Sequence, residues 1–240
     1  MSSRRPERLD VLRWIFFDVG GTLVDDRAYV SYLGQMVRHE LAAAGIATKA
    51  DEFAAVRWRL LRHNPPSLAR ALIAHYIPGD RARAAAVAER VFAPRLEHGS
   101  TQSRLLPGAL EALERLSLRY RLGVIANYDS FIRDVLRDAH ALRFFSDLVI
   151  SSEVDVVKPA PAIFTVALER AGVIPAETAM VGDRSDNDVV TPKAMGMRTV
   201  RVLRPYLSRA VPGSEAARIE PDVTVASVAE VPDAIALLDT

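Results

Sequence analysis

The sequence predicts an α/β protein, a parallel sheet with an all-helical block inserted into it. Three observations carry that reading. Short apolar runs at Trp14-Ile15-Phe16-Phe17, Leu122-Gly123-Val124-Ile125-Ala126 and Ala179-Met180-Val181 have the unbroken hydrophobicity of strands covered on both faces. Helical patterns separate the second, third and later runs, as the crossovers of a parallel sheet require. From about 27 to 100 the texture is helical throughout, with no strand signal.

In chain order, residues 1–12 form a polar tail, and the first strand runs from Trp14 into the turn Gly20-Gly21-Thr22. Tyr29, Tyr32, Leu33, Met36, Val37 and Leu41 recur at three- and four-residue spacing, a helix that Gly45 can end. A second helix is expected to begin near Asp51 as its N-cap and to carry Phe53, Val56, Trp58, Leu60 and Leu61. Asn64-Pro65-Pro66-Ser67 breaks it, with Ser67 placed to cap a third helix through Leu72 and Tyr76. Pro78-Gly79-Asp80 starts a fourth, reaching Val91 and Phe92. Pro107-Gly108 then returns the chain to alternation. A helix through Leu110, Leu113 and Leu116 precedes the strand at 122–127, and a helix at 131–136 precedes a strand near 148–151. A helix from Ile163 to Leu168, ended by Gly172, leads to the strand Ala179–Asp183. Further strands are expected at 199–203 and 223–225, with 204–221 as a surface loop.

Composition bounds the function. Hydrophobic residues at 50% and charged residues at 25% are those of an ordinary globular chain, and a net charge of +1 offers no general attraction for nucleic acid or membrane. There is no cysteine, hence no disulfide, thiolate metal site or thiol nucleophile. The N-terminus lacks the apolar segment of a secretory signal and no run is long enough to span a bilayer, so a cytoplasmic location is expected. The lysines are Lys49, Lys158 and Lys193.

Two predicted strands end on acids, Asp18 and Asp183, and Asp188 follows within Gly182-Asp183-Arg184-Ser185-Asp186-Asn187-Asp188. The carboxyl ends of parallel strands share one edge, so acids distant in sequence meet there. Clustered carboxylates repel unless a cation neutralises them, and an all-oxygen ligand set favours Mg²⁺ over zinc. Lys158, before Pro159, is placed to bring a point charge for phosphate into the same crevice.

These residues resemble the haloacid dehalogenase superfamily, whose members are mostly Mg²⁺-dependent phosphatases. The resemblance runs from about 13 to 238. Asp18 falls on the nucleophile of the pattern DxDGT, Asn127 in the second motif, Lys158-Pro159 in the third, and Gly182-Asp183 with Asn187-Asp188 in the fourth. It implies a Rossmann-like core over 13–26 and 101–240 and a helical cap over 27–100. It further implies Mg²⁺ held by Asp18, the Gly20 carbonyl and Asp183, with Asp188 completing the metal site by orienting the metal's water shell. Asp18 then attacks a small phosphorylated substrate, while Lys158, Asn127 and the amides around Gly21 and Thr22 hold the phosphoryl oxygens.

Two positions depart from the pattern. Gly20 stands where the family's phosphatases carry the acid that protonates the leaving group, a loss of about 10² to 10⁴ in rate. Ala126 replaces a hydroxyl residue, one hydrogen bond to phosphate worth about 1.5 to 3 kcal/mol. A phosphatase that tolerates the loss, for instance on acyl phosphates, is the leading expectation. A C–halogen or C–P hydrolase of the same superfamily, or a phosphate or partner binder without turnover, are the alternatives. The metal acids count against a dehalogenase, and a cap whose lysine is Lys49 alone counts against Schiff-base chemistry on phosphonates. Trp58, Arg59, Arg62 and His63 of the cap, with Arg184 of the metal-site loop, are candidates to meet the substrate. Tyr128 and Asp129 are expected at the cap interface.

Overall fold

The computed structural model describes residues 11–62, 65, 67–93, 103–203 and 219–239. Among these, six strands form one parallel sheet in the order β5-β4-β1-β6-β7-β8. The strands are β1 Trp14–Phe17, β4 Arg121–Ala126, β5 Phe145–Ile150, β6 Thr178–Gly182, β7 Arg198–Val202 and β8 Val223–Val225. Strand β1 pairs with β4 on one side and β6 on the other, with Phe17 level with both Val124 and Val181. The chain thus builds the sheet in both directions from β1, and the crevice of such a sheet opens at that reversal.

Strand alternation divides the β1 side chains between two cores. Ile15 and Phe17 pack on one face with the helices Ala109–Ser117, Ile132–Asp138 and Val231–Leu238. Trp14 and Phe16 pack on the other with the helix Pro161–Ala171. All four residues are buried, and at about 1.5–3 kcal/mol for each large apolar side chain this run anchors both faces.

The helical block consists of α1 Arg27–Ala43, α2 Ala50–Arg62, α3 Leu68–Tyr76 and α4 Arg81–Phe92, around a core of its own that includes Val37, Leu41, Phe53, Leu72 and Val87. Ser67 caps α3 as expected, and Asp80 caps α4. Asp51 does not cap α2: the helix begins one residue earlier, and Asp51 and Glu52 sit in its first turn, facing the positive end of the dipole. A feature with no signal in the sequence joins block to sheet. Strand β2, Val24–Asp25, pairs antiparallel with β3, Arg104–Leu105, so departing and returning chain are tied together. Two residues per strand are too few for an alternation pattern to register.

Residues 1–10 of the expected tail 1–12, His63, Asn64, Pro66, residues 94–102 and residues 204–218 of the expected loop 204–221 lie outside the described residues. Leu12 is buried and its amide donates to Asp239 at 2.7 Å, so it belongs to the core rather than to a tail. No helix among the described residues is long and apolar enough to cross a membrane.

Candidate active site

The site forms where β1, β4 and β6 end. Asp18 follows β1 directly, with its amide donating to the Val181 carbonyl at 2.8 Å. Asn127 follows β4 and Asp183 follows β6. Asp188 lies in a π-type turn, Ser185–Val190, whose widened spacing carries Asp188 back over Gly182. Asp18, Asp183 and Asp188 are all buried, and one carboxylate oxygen from each lies within 4.8 Å of the others.

Lys158 sits in this crevice, 1% exposed, with its ammonium donating to Asp18 Oδ1 and Asp188 Oδ1, both at 2.7 Å. Burial alone would lower its pKa, but the two carboxylates outweigh burial and raise it, so Lys158 is held charged. The acids do not fare symmetrically. Burial pushes Asp188 up to about 6, Lys158 pulls it down, and the like charge of Asp18 adds to the rise. One lysine serves two carboxylates, so Lys158 gains from both while Asp188 has only a share of its partner.

Lys158 bonds two of the three acids, while the charges of Arg184 and Arg201 act on Asp183. Asn187 is 4% exposed, and its side-chain oxygen accepts no hydrogen bond among the described residues. Clustered carboxylate oxygens and a buried amide oxygen make a hard, all-oxygen donor set that fits Mg²⁺.

Gly182 is essential to this geometry. A Cβ there would stand 2.3 Å from both Cβ and Cγ of Asp188, whose Oδ2 also accepts from the Arg184 amide at 3.0 Å. We expect Gly182→Ala to displace Asp188 and to cost about 1–3 kcal/mol through overpacking. Thermal melting together with a Mg²⁺ titration checks it: an unchanged melting point and affinity would refute the contact.

Several expected phosphate-holding groups are engaged otherwise. The Gly21 amide donates to the Val24 carbonyl at 2.7 Å and the Thr22 amide to the Val19 carbonyl at 3.2 Å, so both close the turn after β1. The Thr22 hydroxyl donates to Asp18 Oδ2 at 3.4 Å. Asn127 grips the backbone of Lys158, accepting from its amide at 2.7 Å and donating to its carbonyl at 2.8 Å. It therefore acts first by positioning Lys158, with one amide N–H left over.

A cavity of about 580 Å³ extends from Asp18, Asp183 and Asn187 to the helical block, where Leu33, Leu61, Leu68 and Leu72 line it. Arg184, Tyr128 and Asp129 also line it. The Arg184 guanidinium pairs with Asp186 at 2.7 Å and donates to the Pro65 carbonyl at 3.1 Å, linking the loop after β6 to the block. Trp58 lies elsewhere: it is 55% exposed and borders a neighbouring, more apolar cleft with Leu106 and Leu203. Arg59 is exposed and lines neither space. The residue types and helical spacing suited an anion, but neither side chain lines the cavity of Asp18 and Asp183; the Trp58 cleft meets that cavity at Asp26, Val30 and Leu61. The Arg62 side chain and His63 lie outside the described residues. The reading from sequence missed Asp26 and Tyr29, which line the cavity beside Gly20. The acid pair Asp25-Asp26 directly after the turn was the available signal.

The fold and its crevice define the class, an α/β protein whose working edge is built from carboxylates and one lysine. A family model described as haloacid dehalogenase-like hydrolase matches residues 12–196, and the chain belongs to that family. It is 39% identical over 82 residues to haloacid dehalogenase-like hydrolase domain-containing protein 3 of Danio rerio. That alignment covers 34% of each chain, so this chain matches about a third of that relative's length. It is 30% identical over 211 residues to the glyceraldehyde 3-phosphate phosphatase of Pyrococcus abyssi, covering 79% of this chain and 81% of that one. Among solved structures, the Bacillus subtilis HAD-hydrolase YfnB bound to magnesium superposes with a TM-score of 0.67. Their identity is 20%, over 94% of this chain and 99% of that one, a likeness of fold.

Proposed function

We propose that the chain is a Mg²⁺-dependent phosphatase of small phosphorylated molecules, acting through an aspartyl-phosphate on Asp18. The observation that carries this is Lys158 Nζ, held at 2.7 Å from Asp18 and from Asp188 inside a cluster of three acids. A buried cation beside an attacking carboxylate suits a dianionic electrophile, and the surrounding acids suit a divalent metal. The magnesium bound to YfnB and the phosphatase name of the Pyrococcus relative support the same reading.

In this mechanism Asp18 attacks phosphorus in line with the leaving oxygen. Lys158 and the remaining N–H of Asn127 receive the phosphoryl oxygens. Asp18, Asp183, Asp188 and the Gly20 carbonyl would hold Mg²⁺, which when bound neutralises charge developing on the phosphoryl group. Thr22 orients the Asp18 carboxylate, and the helical block acts as a cap whose apolar side chains wall the far end of the cavity. A cavity of about 580 Å³ suits a metabolite-sized ligand. Against phosphonate chemistry, Lys49 is a surface side chain paired with Glu52 at 3.5 Å.

Mg²⁺-dependent phosphate release from a panel of sugar phosphates, glycerol phosphate and acetyl phosphate tests the reading. Release that stops with chelator supports it; none from any substrate overturns it for that panel. Metal affinity carries a pH signature. Below about 6 Asp188 takes up a proton that a cation must displace, so affinity falls as pH falls, by up to about tenfold per unit. Calorimetric Mg²⁺ titrations at pH 7 and pH 5 measure it, and equal affinities would remove Asp188 from the ligand set.

A further inference from the structure

We propose that Asp26 carries the proton transfers for which residue 20 has no side chain; the inference rests on the phosphatase reading. Cleaving a phosphate ester requires a proton on the departing oxygen, and hydrolysing the aspartyl-phosphate requires one to leave water. Asp18, Asp183 and Asp188 are committed to attack and to the metal, and Lys158 is locked between two carboxylates.

Gly20 is not among the left-handed glycines, so its backbone accepts an L side chain. The space for one is already occupied. A Cβ on Gly20 would lie 2.8 Å from Asp26 Oδ2 and 3.2 Å from Tyr128 Cε2. The chain delivers Asp26 there by reversing after β1. Gly21 turns at φ 78°, Gly20 bridges to Val24, and the Val24–Leu105 pairing fixes the return. Tyr128, stacked on Tyr29 with ring centroids 6.3 Å apart, walls the other side. Asp26, Gly20 and Asp18 line one cavity.

The two half-reactions balance. As Asp18 forms its O–P bond and the ester P–O bond breaks, the Asp26 carboxyl gives its proton to the leaving oxygen, releasing an alcohol. The Asp26 carboxylate then takes a proton from water attacking phosphorus. The aspartyl O–P bond breaks, phosphate departs, Asp18 is a carboxylate again and Asp26 is protonated for the next cycle.

The test compares wild type and Asp26→Asn on glycerol phosphate, a poor leaving group, and acetyl phosphate, a good one. Turnover of glycerol phosphate should fall about 10²- to 10⁴-fold. Acetyl phosphate should still phosphorylate the variant, and the phosphoenzyme should accumulate in intact-protein mass spectra because its hydrolysis lacks a base. Glycerol phosphate turnover within about threefold of wild type, or equal loss on both substrates with no phosphoenzyme, would overturn the proposal while leaving the phosphatase reading in place. Moving the carboxylate, Gly20→Asp combined with Asp26→Ala, should recover glycerol phosphate turnover over Asp26→Ala alone. Wild-type activity in Asp26→Ala itself would also overturn it. A wild-type protein that releases phosphate from neither substrate would remove both readings together.

Discussion

Asp18→Asn is expected to abolish phosphate release, by at least about 10⁴-fold, because an amide cannot serve as the attacking oxygen and no other described side chain takes its place. The loss should come without loss of stability. Asp18 shares Lys158 with Asp188 and adds to the burial that pushes Asp188 up to about 6. Replacing Asp18 by a neutral residue of the same shape relieves that repulsion, and its side-chain oxygen can still accept from Lys158. The melting temperature of the metal-free protein should therefore hold or rise while activity disappears. Phosphate release and thermal melting on one preparation measure both. Residual activity near wild type would rule Asp18 out as the nucleophile, and a collapse in melting temperature would show that its role is chiefly structural.

Lys158→Met is expected to act in the opposite direction on stability. Lys158 is 1% exposed and is the cation bonded to Asp18 and Asp188. Removing it leaves two like charges buried beside Asp183, and breaking a buried pair by deleting one partner costs about 3–5 kcal/mol. For a chain of this size that corresponds to a melting temperature lower by roughly 10 °C. Mg²⁺ should return part of the loss, since a cation that binds only the folded acids stabilises them by mass action. Turnover should be lost as well, for want of the charge that meets the phosphoryl oxygens. Unchanged melting with and without Mg²⁺ would contradict the ion-pair arrangement.

Much of this was legible in the order of residues. Runs of four to six apolar residues, each ending in Asp or Asn or leading to a helix, required a parallel sheet with both faces covered, and β1, β4 and β6 lie side by side as that demands. The convergence of Asp18, Asp183 and Asp188 followed from one rule about where parallel strands end. The substrate-facing residues were less legible. Trp58 and Arg59 suited an anion by type and spacing, but helical periodicity gives relative positions on a helix, not the direction in which the helix faces. Only the packing of α2 on α3 and of the block on the sheet settles that. The Gly21 and Thr22 amides were assigned to phosphate by resemblance, whereas the turn after β1 occupies both.

The sheet and the acids at its strand ends could be read from the order of residues, because each depends on local hydrophobic pattern or on the identity of a residue at a strand end. Tertiary structure alone decided which group occupies the space above Gly20. That space is filled by Asp26 only because a turn, a two-residue ribbon and a helix start fold the chain back on itself. Contacts between residues six apart across a reversal leave no periodic trace in the order of amino acids.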